Sequence, residues 1–219
     1  MTMGKKFLII GNTNAISYKE IFPYLKDNKM WLGYRNLGAD MFFHITDEYK
    51  KEIVNEKKEG SGWKEIDGEI CGRVASACWF TNLEHNKIKE YIGLVKKYNP
   101  TDYPKYDNYD AIEVGCYKDI PKDYDGVMGV PITFLGRHNP KQFEILWLAS
   151  GHSKTSMPKD VAEMLSADFE MKSKDNTGNG YVILNGTQLY HRIFIRKVKE
   201  LPTEEEVKNI FSSGTEFVV

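Results

Sequence analysis

Catalysis needs reactive side chains at set spacings, and this sequence offers few. Its five histidines, His44, His85, His138, His152 and His191, are scattered, with no HExxH and no pair at a metal-ligand spacing. Ser153 follows His152, but no GxSxG surrounds it, so no nucleophile elbow is formed. Cys71, Cys78 and Cys116 are odd in number and include no CxxC, which predicts reduced, buried thiols and neither a disulfide frame nor a zinc site. A Cys–His nucleophile has no motif behind it. The densest charge is acidic: in YDNYDAIEVGCYKDIPKDYD, residues 106–125, Asp107, Asp110, Glu113, Asp119, Asp123 and Asp125 face only Lys118 and Lys122. Such a run is a solvated turn with Asx hydrogen bonds or a polar rim shaped for a ligand, and the first is commoner. No catalytic residue and no metal ligand is assigned.

The elements that must carry any site read as mixed α/β. Residues 6–11 (KFLIIG) are a continuous apolar run ended by Gly-Asn, the pattern of a strand buried on both faces, with Asn12, Thr13 and Asn14 at its carboxyl end. Ser17 with Glu20 forms a capping box for a helix carrying Ile16, Ile21 and Leu25 and stopping near Asn28. Residues 30–34 and 41–45 read as short strands, the charged run 47–62 as an exposed helical turn or a mobile loop, and 70–80 as a strand ending in aromatics. Residues 91–98 alternate as a strand would, though Ile88, Ile92 and Val95 also suit a helix. The central stretch 106–135 reads as a strand pair at the edge of a buried sheet, followed by a strand at 143–148. Residues 151–157 are a polar loop, Pro158 opens a short helix, and 172–180 is a donor-rich loop. Asn185-Gly186 then turns a hairpin between 181–184 and 188–195, and Thr203 caps an acidic tail helix.

With 219 residues, 41% hydrophobic and 28% charged, the chain is expected to fold as one domain, or one domain with a small appendage. A net charge of −1 gives no whole-molecule support for nucleic-acid binding, although residues 128–199 carry a mild basic excess. The thirteen tyrosines suit a surface that stacks flat ligands, and equally an ordinary core. No signal peptide and no apolar run near 18 residues is present, so a soluble, cytoplasmic protein without a membrane contact is expected.

Long strings of the chain resemble the EcoRI-type adenine-specific DNA methyltransferase family: KKFLIIGNTNAISYKEIFPYLKDNKMWLGY, ACWFTNLEHNK, YPKYDNYDAIEV and IPKDYDGVMGVPITFL, with Asn139-Pro140 and QFEI after them. The likeness runs over roughly residues 5–197. Methyl transfer to adenine N6 calls for a glycine-rich turn approaching S-adenosylmethionine and an Asn/Asp-Pro-Pro-aromatic loop that holds the flipped-out base. Neither occurs here, since no two prolines are adjacent and no strand-linked GxGxxG exists. In the family these elements precede the strand that KKFLIIGN resembles. The resemblance therefore implies the carboxyl-terminal half of such an enzyme.

On that basis the expected fold is α/β, a partial Rossmann-like methyltransferase sheet over 1–100 plus a β-rich DNA-recognition region over 101–219. Asn12 and Asn14 would edge the cofactor pocket, and Trp79, Phe80 and Asn82 would wall the base pocket. Arg137, His138, Lys141, Lys154, Lys172, Lys174, Asn176 and Asn179 would contact DNA. For each one alone a turn, core or solvated-loop role is the commoner fate; it is two basic, donor-rich loops beside a sheet, taken as a set, that point to DNA. Three readings follow: a half-enzyme completed by a partner half or covered as a homodimer, with S-adenosylmethionine bound only once completed; a stand-alone DNA-binding module; or a truncated inactive remnant. An incomplete sheet should leave an apolar edge uncovered.

Overall fold

The computed structural model describes residues 4–35, 37, 39–177 and 180–198. The first part runs β1 (Leu8–Asn12), α1 (Phe22–Lys26), β2 (Trp31–Leu32), β3 (Met41–His44), α2 (Asp47–Glu56), β4 (Trp63–Ile66), β5 (Glu69–Val74) and β6 (Ala77–Thr81). The second runs β7 (Ile112–Glu113), β8 (Met128–Pro131), β9 (Phe143–Ala149), α3 (Ser153–Ser156), α4 (Lys159–Met164), β10 (Ile183–Leu184), β11 (Thr187–Gln188) and β12 (Arg192–Lys197). These make sheets ordered β1-β6-β2, β3-β5-β4, β7-β8-β12-β9 and β10-β11. The architecture is mixed α/β but mostly strands in small sheets. The described residues do not bear out the expected Rossmann-like sheet: the one parallel pairing of named strands among them is β7 with β8, two residues long.

The largest departure from the sequence pattern is β1. An unbroken apolar run predicts burial on both faces, yet among the described residues β1 is an outer strand paired antiparallel with β6 alone. Leu8, Ile9 and Ile10 are 56%, 53% and 46% exposed. Successive strand residues point to opposite faces, so three exposed in a row leave both faces bare. The next departure is α1. Pro23 lacks an N–H, so the helix starts beside it at Phe22. Ser17 instead ends a 3₁₀ turn, Thr13–Ser17, and donates its hydroxyl to the Asn14 carbonyl at 2.8 Å. The charged run at 47–56 forms a ten-residue helix, because Thr46 accepts from the Tyr49 N–H as its N-cap, Asp47 and Glu48 favour its first turn, and Ile53 is buried.

The central stretch does lie at a sheet edge, with Ile112, Met128 and Val130 fully buried. Asn185 and Gly186 take φ of 51° and 76°, the left-handed pair of a type I′ turn, and join β10 to β11. The hairpin stops at Gln188, and β12 leaves it to sit between β8 and β9. Residues 91–98 form no strand. Gln142 replaces the missing neighbour: Ile92 N–H donates to its Oε1, and its Nε2 donates to the Ile92 carbonyl, both at 2.7 Å. One apolar cluster, from Ile16 and Phe80 to Phe134, Phe143 and Phe194, draws on both sides of residue 100. The helix expected at Thr203, and Asn179, lie outside the described residues.

Candidate functional site

The turn after β1 spends most of its polar groups on itself. Asn12 Oδ1 accepts from Asn14 N–H at 2.8 Å, Asn12 Nδ2 donates to Ser76 Oγ at 3.3 Å, and Thr13 donates both N–H and hydroxyl to the Ser76 carbonyl. Gly11 offers no open backbone either, since a Cβ there would stand 3.0 Å from the Phe80 ring. The side chain of Asn14 is exposed beside this turn. A cofactor cradle needs free N–H groups around a concavity, so these residues do not by themselves fit S-adenosylmethionine; they provide one wall at most.

The residues expected around a base sit on β6 and mostly serve the sheet. Phe80 is buried in the core. Trp79, half-buried, packs its Cβ against Gly33, where any side chain would collide at 2.5 Å. Asn82 accepts from the Phe7 N–H at 2.9 Å and donates to the Lys5 carbonyl at 2.8 Å, while the Thr81 hydroxyl donates to the Phe7 carbonyl at 2.6 Å. Together they set the register at the start of β1.

The basic set divides between opposite ends of β9. At its start, Arg137 Nη1 is 3.2 Å from Glu90 Oε2, with both side chains largely buried. His138 is 4% exposed, its Nε2 2.9 Å from the Phe143 carbonyl, and burial holds its ring well down, at about 4, against that bond's opposing pull. It is a neutral core residue facing Phe134, not a group presented to a ligand. Lys141 is exposed and lines a groove of about 520 Å³ with Trp31, Glu84, Lys89, Tyr91 and Asn139. Sequence reasoning missed that groove because its aromatics come from separate elements.

At the far end of the seven-residue β9, on the order of 20 Å away at strand rise, the segment 150–157, where the expected polar loop instead holds the short α3, meets Gly180. The Gly180 backbone presses on Ser150 and Ser153, and its carbonyl accepts from Tyr109 Oη at 2.7 Å. Lys154 is ion-paired with Glu170. Lys172, Lys174 and Asn176 are exposed here, the Lys174 stem lying against Gly186. This end also carries features the sequence did not announce. Arg192 is bound bidentately by Glu113, and Tyr106 Oη donates to the same carboxylate. Burial would lower the Arg192 pKa, but the hydrogen bonds and charge of Glu113 more than reverse this. Burial, and then Glu113, push the Tyr106 phenol well up. Beside them the Tyr181 and His191 rings stack, and the Tyr190 ring tilts against His191.

Among the described residues, no group of three His, Cys, Asp or Glu side chains is placed to hold a metal, and no helix is long and apolar enough to cross a membrane.

Comparison with known proteins gives a consistent result. The family described as "Adenine-specific methyltransferase EcoRI" matches residues 1–198. The chain is 45% identical over 150 residues to the type II methyltransferase M.EcoRI of Escherichia coli, covering 67% of this chain and 44% of that one. It is 36% identical over 196 residues to the type II methyltransferase M.MgeORF184P of Mycoplasma genitalium, covering 88% and 57%. The figures for M.MpnI of Mycoplasma pneumoniae are 38% over 148 residues, 65% and 44%. The chain thus spans about half the length of the relatives it matches. No solved structure matches it.

Proposed function

The chain belongs to the adenine-specific methyltransferase EcoRI family, and from that premise we propose that it supplies the carboxyl-terminal, DNA-recognising part of an S-adenosylmethionine-dependent adenine N6-methyltransferase of a type II restriction-modification system. The reading carries a condition: methyl transfer requires a complementary part bearing the cofactor turn and the Asn/Asp-Pro-Pro-aromatic loop. One observation supports that condition above others. Among the described residues the apolar strand β1 has an unpaired edge, and Leu8, Ile9 and Ile10 are exposed on both its faces, in a chain that spans about half of its relatives. Open apolar edges of this kind invite pairing, and folded proteins normally cover them. With the complement seated on β1, the exposed Asn14 amide would stand at the rim of the cofactor and base pocket. Double-stranded DNA would lie across α3, which carries Lys154, and the loop carrying Lys172, Lys174 and Asn176.

Calorimetric titration of S-adenosylmethionine into the purified chain tests the condition. No heat is expected. Micromolar binding would mean a cofactor site complete within this chain, and would overturn the need for a complement. A second reading, a DNA-binding module without chemistry, is favoured by the gathering of donor-rich segments at one end of β9. It predicts salt-sensitive duplex binding that persists without any complementary part, and no methylation when one is added.

A further inference from the structure

Three rings from two segments form a ladder at the end of the main sheet. His191 stacks on Tyr181 at 5.3 Å between centroids with planes 10° apart, and Tyr190 tilts onto His191 at 4.3 Å and 42°. The outermost ring, Tyr190, is 62% exposed. Exposed aromatics are common, so what matters here is that the backbone carrying these rings is anchored from behind. The guanidinium of Arg192, clamped by Glu113, donates from Nη1 to the carbonyls of Tyr190 and His191 at 3.2 and 3.4 Å. The Tyr181 carbonyl accepts from Asn108 Nδ2 at 2.8 Å. The Tyr181 ring also lies so close over Gly151 that a Cβ there would stand 3.2 Å away. Burial first, and the neighbouring His152 second, lower the His191 pKa, so its ring is a neutral stacking partner at neutral pH.

An anchored ladder ending in an open ring face suits a flat, apolar ligand face. The exposed Lys172 and Lys174, on the segment that leads into Tyr181, lie at the same end of the sheet and can meet a phosphate backbone, while Lys154 of α3 is already paired with Glu170. We propose that the Tyr181–His191–Tyr190 ladder is a stacking site for an unpaired nucleobase of bound DNA. A base inside a duplex has no free face, so the site engages a base displaced from its stack, apart from the pocket that the Asn/Asp-Pro-Pro-aromatic loop would form. This inference rests on the reading of the chain as DNA-recognising.

The test uses a duplex with a single bulged 2-aminopurine, whose fluorescence is quenched on stacking, and the same duplex fully paired. Wild type is expected to bind the bulged duplex more tightly and to quench it. Tyr190→Phe should keep both properties, while Tyr190→Ala should bind the bulged duplex about tenfold more weakly, without quenching, and bind the paired duplex unchanged. Because Tyr190 is exposed, the alanine variant should fold, which circular dichroism would check. Equal binding of the two duplexes by wild type, or undiminished quenching by Tyr190→Ala, overturns the stacking site and leaves DNA recognition standing. Absence of any duplex binding at low salt overturns both.

Discussion

Glu113 and Arg192, 79 residues apart in sequence, meet through three hydrogen bonds: Nε to Oε1 and Oε2 at 3.1 and 3.0 Å, and Nη2 to Oε1 at 2.9 Å. Their side chains are only 11% and 16% exposed. The pair ties edge strand β7 to β12 across β8. Removing one partner leaves the other charge buried without compensation, which typically costs about 3–5 kcal/mol. Glu113→Ala is therefore expected to lower the unfolding free energy in urea by that order. The double replacement Glu113→Leu with Arg192→Met should recover much of the loss. A cost under 1 kcal/mol for Glu113→Ala would mean that the pair is solvated and does not fasten the sheet.

His138 gives a stability that depends on pH. Its folded pKa, about 4, lies below the unfolded value near 6.5, so between these the unfolded chain binds the additional proton. The contribution is fully present above about pH 6.5 and disappears as the pH falls towards 4, amounting to about 3 kcal/mol over the window. Many carboxylates titrate in the same range, so the informative quantity is the difference between wild type and His138→Gln. The wild-type pH profile should fall more steeply between pH 6.5 and 4.5. Parallel profiles would show that His138 is not held neutral.

The exposed strand predicts an association phenotype. Ile9 is half exposed in β1, so Ile9→Lys should change the stability of the isolated chain by no more than about 0.5 kcal/mol. A lysine on an open edge discourages strand addition. Self-association of the purified chain, followed by sedimentation velocity, should fall in the variant. Any methylation restored by adding a complementary methyltransferase part should be lost. Restored methylation at the wild-type level with Ile9→Lys would place the complement elsewhere.

How much of this was legible in the sequence depended on the range of the forces involved. The Asn185-Gly186 turn is local backbone chemistry and was readable from two residues. The strand character of 8–12 was readable too, but its burial was not, because burial depends on what packs opposite and the apolar run is silent on that. His138 and Arg137 looked like surface donors by residue type, whereas Phe143, Phe134 and Glu90 draw them inward. The Tyr181–His191 stack joins two segments across the β10–β11 hairpin, and no local spacing announces it. The helix at 47–56 was obscured by its many charges, although its N-cap threonine was in plain view.

Residues 91–98 offer the sharpest case of a side chain standing in for a strand. Gln142 is 4% exposed and satisfies both the N–H and the carbonyl of Ile92, so it does what a neighbouring peptide would do. Gln142→Ala should cost about 2 kcal/mol, since a buried polar group left unpaired costs roughly 1–3 kcal/mol and some solvent can enter the space. Gln142→Glu keeps an acceptor for the Ile92 N–H but turns an ionised oxygen towards the Ile92 carbonyl. At neutral pH it should be the more damaging variant, and lowering the pH should recover part of its stability as the carboxyl regains a proton to donate. In both variants hydrogen exchange at the Ile92 amide should quicken more than at Ile193 in β12. Unchanged exchange at Ile92 in the alanine variant would mean that other contacts hold the segment and that the amide pair is incidental.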